Sequence, residues 1–471
     1  MSINRNHIIL LFFLISGFLL RYLSIGNNDL WYDEILTFSL TSNQISFSES
    51  YFLSNELEGT PYLFNFFLRF FFKIFLYDIY IVKVFLVVIS TACIISTSYL
   101  TYIITKDNSY VLAAFLVSFN VFLLEYSSEL RVYTFLYFFS TLSIIFFIKY
   151  LDKKNIQRLF FFSFFTLINS FLHPFSLLIF FSFIIYLSLL FIQKKIIYEK
   201  LNISLILLLV LNFLYYFYFY LNSENIRDEG WIQNVDIDFY YHYFFANFFG
   251  SRILGVTFLI LMVYLLFKKF TIKENYQFFF LILFLFSYIL PLVFSYLIKP
   301  ILIPRYIIFV IISIIILVSS LLFKLENTNL KKALIILIYT IISLNTFYEN
   351  NFKKIFHKNY LEKPQFTKTI ETIGDSEHKS YMIKFSHVIS DKKKSTLRIY
   401  DLYIQHLSSI LDIRIKYISE KNILNTDKNF FWIICDPIIN RFDCSVPKNL
   451  KVKLLEDFNF FKINLKLVEK I

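Results

Sequence analysis

Hydrophobic runs of roughly 20 residues recur from Leu10 to about Asn345, separated by polar loops that are mostly short, with longer ones at Ile25–Thr60 and Leu221–Arg252. A run of that length crosses a ~30 Å hydrocarbon layer as a helix, the form that satisfies every backbone N–H and C=O without water. The pattern predicts about eleven spans. They are His7–Ser24, Ile79–Ile104, Tyr110–Leu124, Tyr133–Tyr150, Leu159–Leu172, Phe175–Ile192, Leu201–Tyr220, Ile253–Phe267, Phe278–Leu297, Tyr306–Phe323 and Ala333–Phe347. The first has a signal-like start, with Arg5 and His7 ahead of apolar residues, but no small-residue cleavage site follows, so it reads as a retained helix. Pro61–Tyr77 is different. Asn65, Arg69 and Lys73 interrupt it at four-residue steps, which puts them on one helix face and predicts an interfacial helix.

From about Tyr348 the pattern changes. The tail is lysine-rich, with strand-like runs at Tyr381–Phe385, Ile413–Ile418, Phe430–Cys435 and Phe458–Leu467. Amphipathic stretches at Thr367–Ile373 and Asp401–Leu411 read as helices between them. The expected organisation is a membrane domain over 1–350 and a small α/β domain over 351–471.

Composition agrees with the membrane class. Of 471 residues 57% are hydrophobic, more apolar surface than a soluble chain of this length could hide. The net charge of +12 does not point to nucleic acid, because the basic residues sit in short clusters between apolar runs. Those clusters alternate with loops poor in Lys and Arg, which fixes orientation by the positive-inside rule. Arg5, Lys106, Lys149–Arg158, Lys194–Lys200, Lys268–Lys273 and Lys324–Lys332 fall on the cytoplasmic side. The N-terminus is then cytoplasmic and the tail extracytoplasmic, which is periplasmic in a bacterium with two membranes. Of the three cysteines, Cys93 lies in an apolar run, while Cys435 and Cys444 lie in the tail, where an extracytoplasmic location permits a disulfide. With 21% aromatic residues, no aromatic cluster can be offered as a sugar platform on composition alone.

Four places on the predicted outer side carry chemistry. Trp31-Tyr32-Asp33-Glu34 puts adjacent carboxylates close to the bilayer, either as a general base for an acceptor hydroxyl or as an acidic patch in a solvated loop. Glu125-Tyr126-Ser127-Ser128-Glu129-Leu130-Arg131-Val132-Tyr133 packs two acids and an arginine into a tight turn. Arg131 there is either a phosphate ligand or the partner of Glu129. His173, before Pro174, is either a polar contact to a phosphate or metal or an ordinary turn residue. Lys299-Pro300-Ile301-Leu302-Ile303-Pro304-Arg305-Tyr306 places two cations against the positive-inside pattern, held there by function or snorkelling to headgroups. Their shared sidedness allows one site, with phosphate at the cations and a hydroxyl at the carboxylates.

In this order the residues resemble the GT-C superfamily of membrane glycosyltransferases, specifically the bacterial protein O-mannosyltransferase and lipid A aminoarabinose transferase type. The resemblance covers about Met1 to Asn350. It implies a polytopic α-helical GT-C fold with about eleven transmembrane helices and a small extracytoplasmic α/β domain, in the inner (plasma) membrane. It implies inverting transfer of a sugar from a polyprenyl-phosphate donor to an envelope glycan such as lipopolysaccharide, a lipid or a protein. Asp33 matches the family's general base and Glu34 the acid beside it, while Arg131 and Arg305 would hold the donor phosphate. Glu129, Tyr133, His173 and Tyr306 would line the site. At Gly59-Thr60-Pro61 the family's His-Pro-Pro lacks its His, so no metal or acceptor role carries over to that position. A divalent cation could assist, but no ligand set with metal spacing stands out. The competing readings are a transporter or flippase of a lipid-linked saccharide, and a non-catalytic assembly protein. Uninterrupted spans and the absence of internal symmetry argue against the transporter.

Overall fold

The computed structural model describes residues 5–26, 29–58, 60–193, 199–222, 252–269, 276–298, 300–301, 303–347, 363–385, 393–419, 422, 429–436, 452–460 and 462–470. The helices begin with α1 (Arg5–Leu23), α2 (Tyr32–Thr41), α3 (Phe47–Leu57), α4 (Leu63–Ile74), α5 (Ile79–Thr105) and α6 (Ser109–Phe119). There follow α7 (Val121–Glu125), α8 (Tyr133–Asp152), α9 (Ile156–Leu172), α10 (Leu177–Ile192), α11 (Glu199–Asn222) and α12 (Arg252–Lys269). Then come α13 (Tyr276–Leu297), α14 (Val310–Phe323), α15 (Thr328–Phe347), α16 (Phe366–Asp375), β1 (Ser380–Phe385) and α17 (Lys393–Ile410). The chain ends in β2 (Lys416–Tyr417), β3 (Phe430–Asp436), β4 (Val452–Phe460) and β5 (Ile463–Lys470). These elements pack as two compact units, one formed by Met1–Ile25, Gly59–Phe64 and Lys83–Ile355, the other by Gly26–Glu58, Asn65–Val82 and Phe356–Ile471.

The first unit is helical. Among the described helices, α1, α5, α8, α10 with the turn before it, α11, α13 and α15 are long and apolar enough to cross a membrane, while α6, α9, α12 and α14 are apolar but shorter. Each predicted span falls on one of these helices, with two differences at their ends. The run at Tyr110–Leu124 is broken at Asn120, whose Oδ1 accepts a hydrogen bond from Leu123 N at 2.9 Å and so starts the short helix α7. The run beginning at Tyr306 opens as a 3₁₀ turn, Pro304–Ile307, and becomes α-helical only at Val310.

Burial divides the helices. Every residue of α14 from Val310 to Leu322 is buried, with α6, α12 and α13 packed around it. By contrast α1 exposes Ile8, Leu11, Phe12 and Ile15, and α11 exposes Ile206, Leu207, Phe213 and Leu214. Apolar faces of that size are stable only against lipid. The protein is a multi-pass membrane protein. Where α1 meets α6, Gly17 allows the close approach, since a Cβ there would lie 2.6 Å from Ile94 Cδ1 and 3.0 Å from Ser118 Oγ. One turn on, the fully buried Arg21 donates from Nε to Ser90 Oγ (2.8 Å), from Nη1 to Gly17 O (2.9 Å) and from Nη2 to Val117 O (2.9 Å). A buried guanidinium is tolerable only with its donors satisfied in this way.

The second unit contains the sheet, which among the described residues has five strands in the order β2-β1-β3-β5-β4. The β1 strand pairs in parallel with β2 and β3, while β5 is antiparallel to β3 and β4. Met382, Ile418, Phe431, Ile433, Cys435 and Val468 form a core cluster on it. Trp432, also buried, donates its indole N–H to His378 O at 2.8 Å. Two sequence expectations shift here. The run Phe458–Leu467, read as one strand, is a hairpin of β4 and β5 turned near Lys462, which takes φ 56°. The helix expected at Asp401–Leu411 begins earlier, at Lys393. Cys435 is buried on β3, and Cys444 lies outside the described residues.

Residues of the first loop belong to this unit. Helix α17 packs on α2 and α3, and α16 packs on α17 and β5. The polar face of α4 is spent on the same unit: Asn65 donates to Glu58 Oε2 at 2.5 Å, and Arg69 Nη2 to Ile45 O at 2.5 Å. Phe66, Phe70 and Ile74 on the other face stay exposed, as an interfacial helix requires.

Candidate active site

In the first unit, the turn after α7 is tied down by its serines. Ser127 Oγ donates to Leu124 O at 2.7 Å, Ser128 Oγ to Ser24 O at 3.3 Å, and Thr134 Oγ1 to Tyr126 O at 2.9 Å. Arg131 N closes the turn on Glu129 O at 2.6 Å. Leu130 and Val132 are buried as anchors, which leaves Glu129 and Arg131 half-buried beside the fully enclosed Tyr133.

His173 stands at the junction of α9 and the 3₁₀ turn Pro174–Ser176. Its Nδ1 accepts a hydrogen bond from Phe175 N at 3.2 Å, so the ring's own proton belongs on Nε2. Tyr216 of α11 braces the turn by donating to Ser170 O and His173 O. The imidazole lies 4.8 Å from the Tyr306 ring, 5.5 Å from Phe175 and 6.5 Å from Tyr133. Burial, and then the charges of Arg131 and Arg305, hold its pKa down to about 3. It is therefore a neutral donor at any physiological pH.

Pro304 starts the turn that delivers the last two residues. The Arg305 guanidinium carbon sits 5.5 Å from the Tyr133 ring centre, and Tyr306 stacks on the same ring at 6.4 Å. Tyr126 packs on Tyr133 at 5.5 Å. Its phenol pKa is raised by burial and then by Glu125 and Glu129, against the pull of Arg305. Arg131, Tyr133, His173, Arg305 and Tyr306, named from sequence in three separate segments, thus meet in one cluster, and Glu129 is near enough to Tyr126 to raise its pKa. Two guanidinium groups, a neutral imidazole N–H and phenols suit an anion. Sequence reading did not single out Tyr216, because it lies among other tyrosines in an apolar run. Lys299 lies outside the described residues.

In the second unit, α2 carries Asp33 and Glu34 in its first turn, where the helix dipole favours carboxylates. Their environments differ. Asp33 is half-buried, and its carbonyl accepts from Thr37 Oγ1 at 3.1 Å. Glu34 is fully buried, and its Oε2 accepts from Trp31 N at 3.1 Å and from Lys363 Nζ at 2.6 Å. Among the described residues no three His, Cys, Asp or Glu side chains are grouped so as to hold a metal ion.

No family model and no curated protein matches the chain. Two solved structures of ArnT from Cupriavidus metallidurans do. The one bound to undecaprenyl phosphate aligns over 97% of this chain and 97% of its own, with 8% identity and a TM-score of 0.61. The apo structure aligns over the same shares with 8% identity and a TM-score of 0.59. Likeness at that identity is likeness of fold. The chain has the fold of these two ArnT structures.

Proposed function

We propose that the protein is an inverting glycosyltransferase that moves a sugar from a polyprenyl-phosphate donor to an acceptor outside the cytoplasm. The observation that carries this reading is the gathering of Arg131 and Arg305 about the neutral His173, walled by Tyr133 and Tyr306. Such a cluster holds a phosphate. The fold it shares with a protein crystallised with undecaprenyl phosphate supports a lipid-linked one.

Asp33 is the base. Its carboxylate takes the proton of an acceptor hydroxyl, and the oxygen attacks the anomeric carbon from the face opposite the phosphate. The carbon–oxygen bond to phosphate breaks, and its electron pair leaves with polyprenyl phosphate. Arg131 and Arg305 stabilise the charge that builds on that leaving group. His173 Nε2–H is a third, uncharged donor. Glu34 supports Asp33 from its buried ion pair, and Glu129, Tyr133 and Tyr306 line the site. The acceptor is an envelope glycan, a lipid or a protein, with the tail on the outer face of the plasma (inner) membrane.

Membranes containing the protein, given a panel of polyprenyl-monophosphate sugars and envelope acceptors, should release polyprenyl phosphate from one donor. Asp33→Asn should release none. Passage of the intact donor across the bilayer without release would instead favour the transporter.

A further inference from the structure

The adjacent acids Asp33 and Glu34 have separate surroundings, and the difference comes from the tail. Lys363 stands 329 residues after Glu34, yet the two side chains meet at 2.6 Å with exposures of 3% and 0%. Asp29 Oδ1 accepts from both Thr367 N (2.9 Å) and Thr367 Oγ1 (2.8 Å). It thereby caps α16 in place of Gln365, whose side chain supplies no bond at the N-cap position. Leu30 N donates to Tyr403 Oη at 3.1 Å, and Ser39 Oγ to Ile399 O at 2.8 Å. Residues 29–39 are thus held at four points by residues 363–403, and Asp33 lies between those points.

A buried Lys–Glu pair adds little to stability as such, because the loss of hydration offsets most of the attraction. An apolar pair of similar volume would fill the space as well. What the ion pair supplies is one distance and one register between the first turn of α2 and the segment leading into α16. Asp33 is the neighbouring residue in that turn, so whatever fixes Glu34 fixes the Asp33 backbone too.

We infer that Lys363 is a positioning residue for the reaction: through Glu34 it sets the place of the first turn of α2, and with it the Asp33 carboxylate. This rests on the proposal that Asp33 is the base. Glu34 is then an anchor for the base, and the tail is part of the catalytic apparatus without touching substrate.

The test uses the full-length protein and the double variant Glu34→Gln/Lys363→Met. The introduced glutamine keeps an acceptor for Trp31 N, the introduced methionine keeps most of the length of lysine, and no charge is left buried. Polyprenyl phosphate release gives kcat and donor KM, and thermal unfolding is followed on the same preparations. The double variant should unfold no more easily than wild type. Its kcat should fall about 10- to 100-fold, the cost of misplacing a reacting group by about 1 Å, with donor KM within about threefold. A wild-type kcat in the double variant would overturn the inference, as would a loss of activity that merely tracks a loss of stability. Asp33→Asn, run alongside, separates the two levels. Full release by Asp33→Asn removes the base and the proposed function with it, whereas no release by Asp33→Asn beside wild-type release by the double variant removes the positioning alone.

Discussion

In the first unit, the charged groups of the 125–133 turn and of the Pro304–Ile307 turn are half-buried and surrounded by rings, with Arg305 against Tyr133 and both arginines near His173. Hydrogen bonds between uncharged groups hold the turns: Ser127 to a carbonyl of its own turn, Ser128 to Ser24 O, Tyr216 to His173 O, and the Phe175 amide to the His173 ring. In the second unit, Glu34 and Asp29 are buried, and their partners Lys363 and Thr367 come from more than 300 residues away. The contrast distinguishes two uses of charge. The half-buried cations stand among aromatic rings, a setting that suits an anion. The fully buried Glu34 is matched by Lys363 and serves the fold, while the half-buried Asp33 beside it is the acid proposed as the base.

The largest expected effect falls on that acid. Asp33→Asn keeps the size of the side chain and removes the proposed base, so release of polyprenyl phosphate should fall below detection while the protein unfolds at its normal temperature. Next, Lys363→Met alone strands the Glu34 charge in a buried site. It should destabilise the second unit by about 3–5 kcal/mol, read from denaturation in detergent, because an uncompensated buried charge costs that much. Glu34→Gln added to it should restore wild-type stability, and failure of that rescue would break the distinction drawn between the two acids. In the first unit the cost should appear in rate and not in stability. Arg305→Ala should lower kcat/KM by about 10²–10³, in the range for removal of one donor to developing charge. Arg305→Lys should recover only part, since a point charge cannot replace the planar fork. The smallest effect belongs to His173. Its pKa of about 3 keeps it neutral between Arg131 and Arg305. His173→Gln should therefore weaken polyprenyl phosphate binding several-fold yet leave the shape of its dependence from about pH 5 to 8 unchanged.

How much of this could be read from the chain depends on the range of the contact. The spans were readable because membrane helices are local: an apolar run satisfies its own backbone, and every predicted run falls on a helix. Their ends were less so, since the break at Asn120 depends on one side-chain cap. The hairpin at Lys462 was missed because hydrophobic residues continue through the turn from β4 into β5. At the site, the Tyr-Ser-x-Glu-x-Arg-x-Tyr turn, His173 and Arg305 were each visible as polar residues in apolar surroundings, and the structure brings them together. Lys363 gave no such signal. It is one lysine in a lysine-rich tail, and only the tertiary fold pairs it with Glu34. The packing of residues 26–58 and 65–82 with the tail was equally silent in composition.

The most direct test of lipid-linked transfer is single-turnover release of polyprenyl phosphate from a labelled polyprenyl-phosphate sugar by the purified protein in vesicles, with an envelope acceptor extract and Asp33→Asn as the paired control. Transfer of label to the acceptor with equal release of polyprenyl phosphate, by wild type only, is the predicted result. Equal release by Asp33→Asn, or movement of intact donor between leaflets with no release, would contradict it.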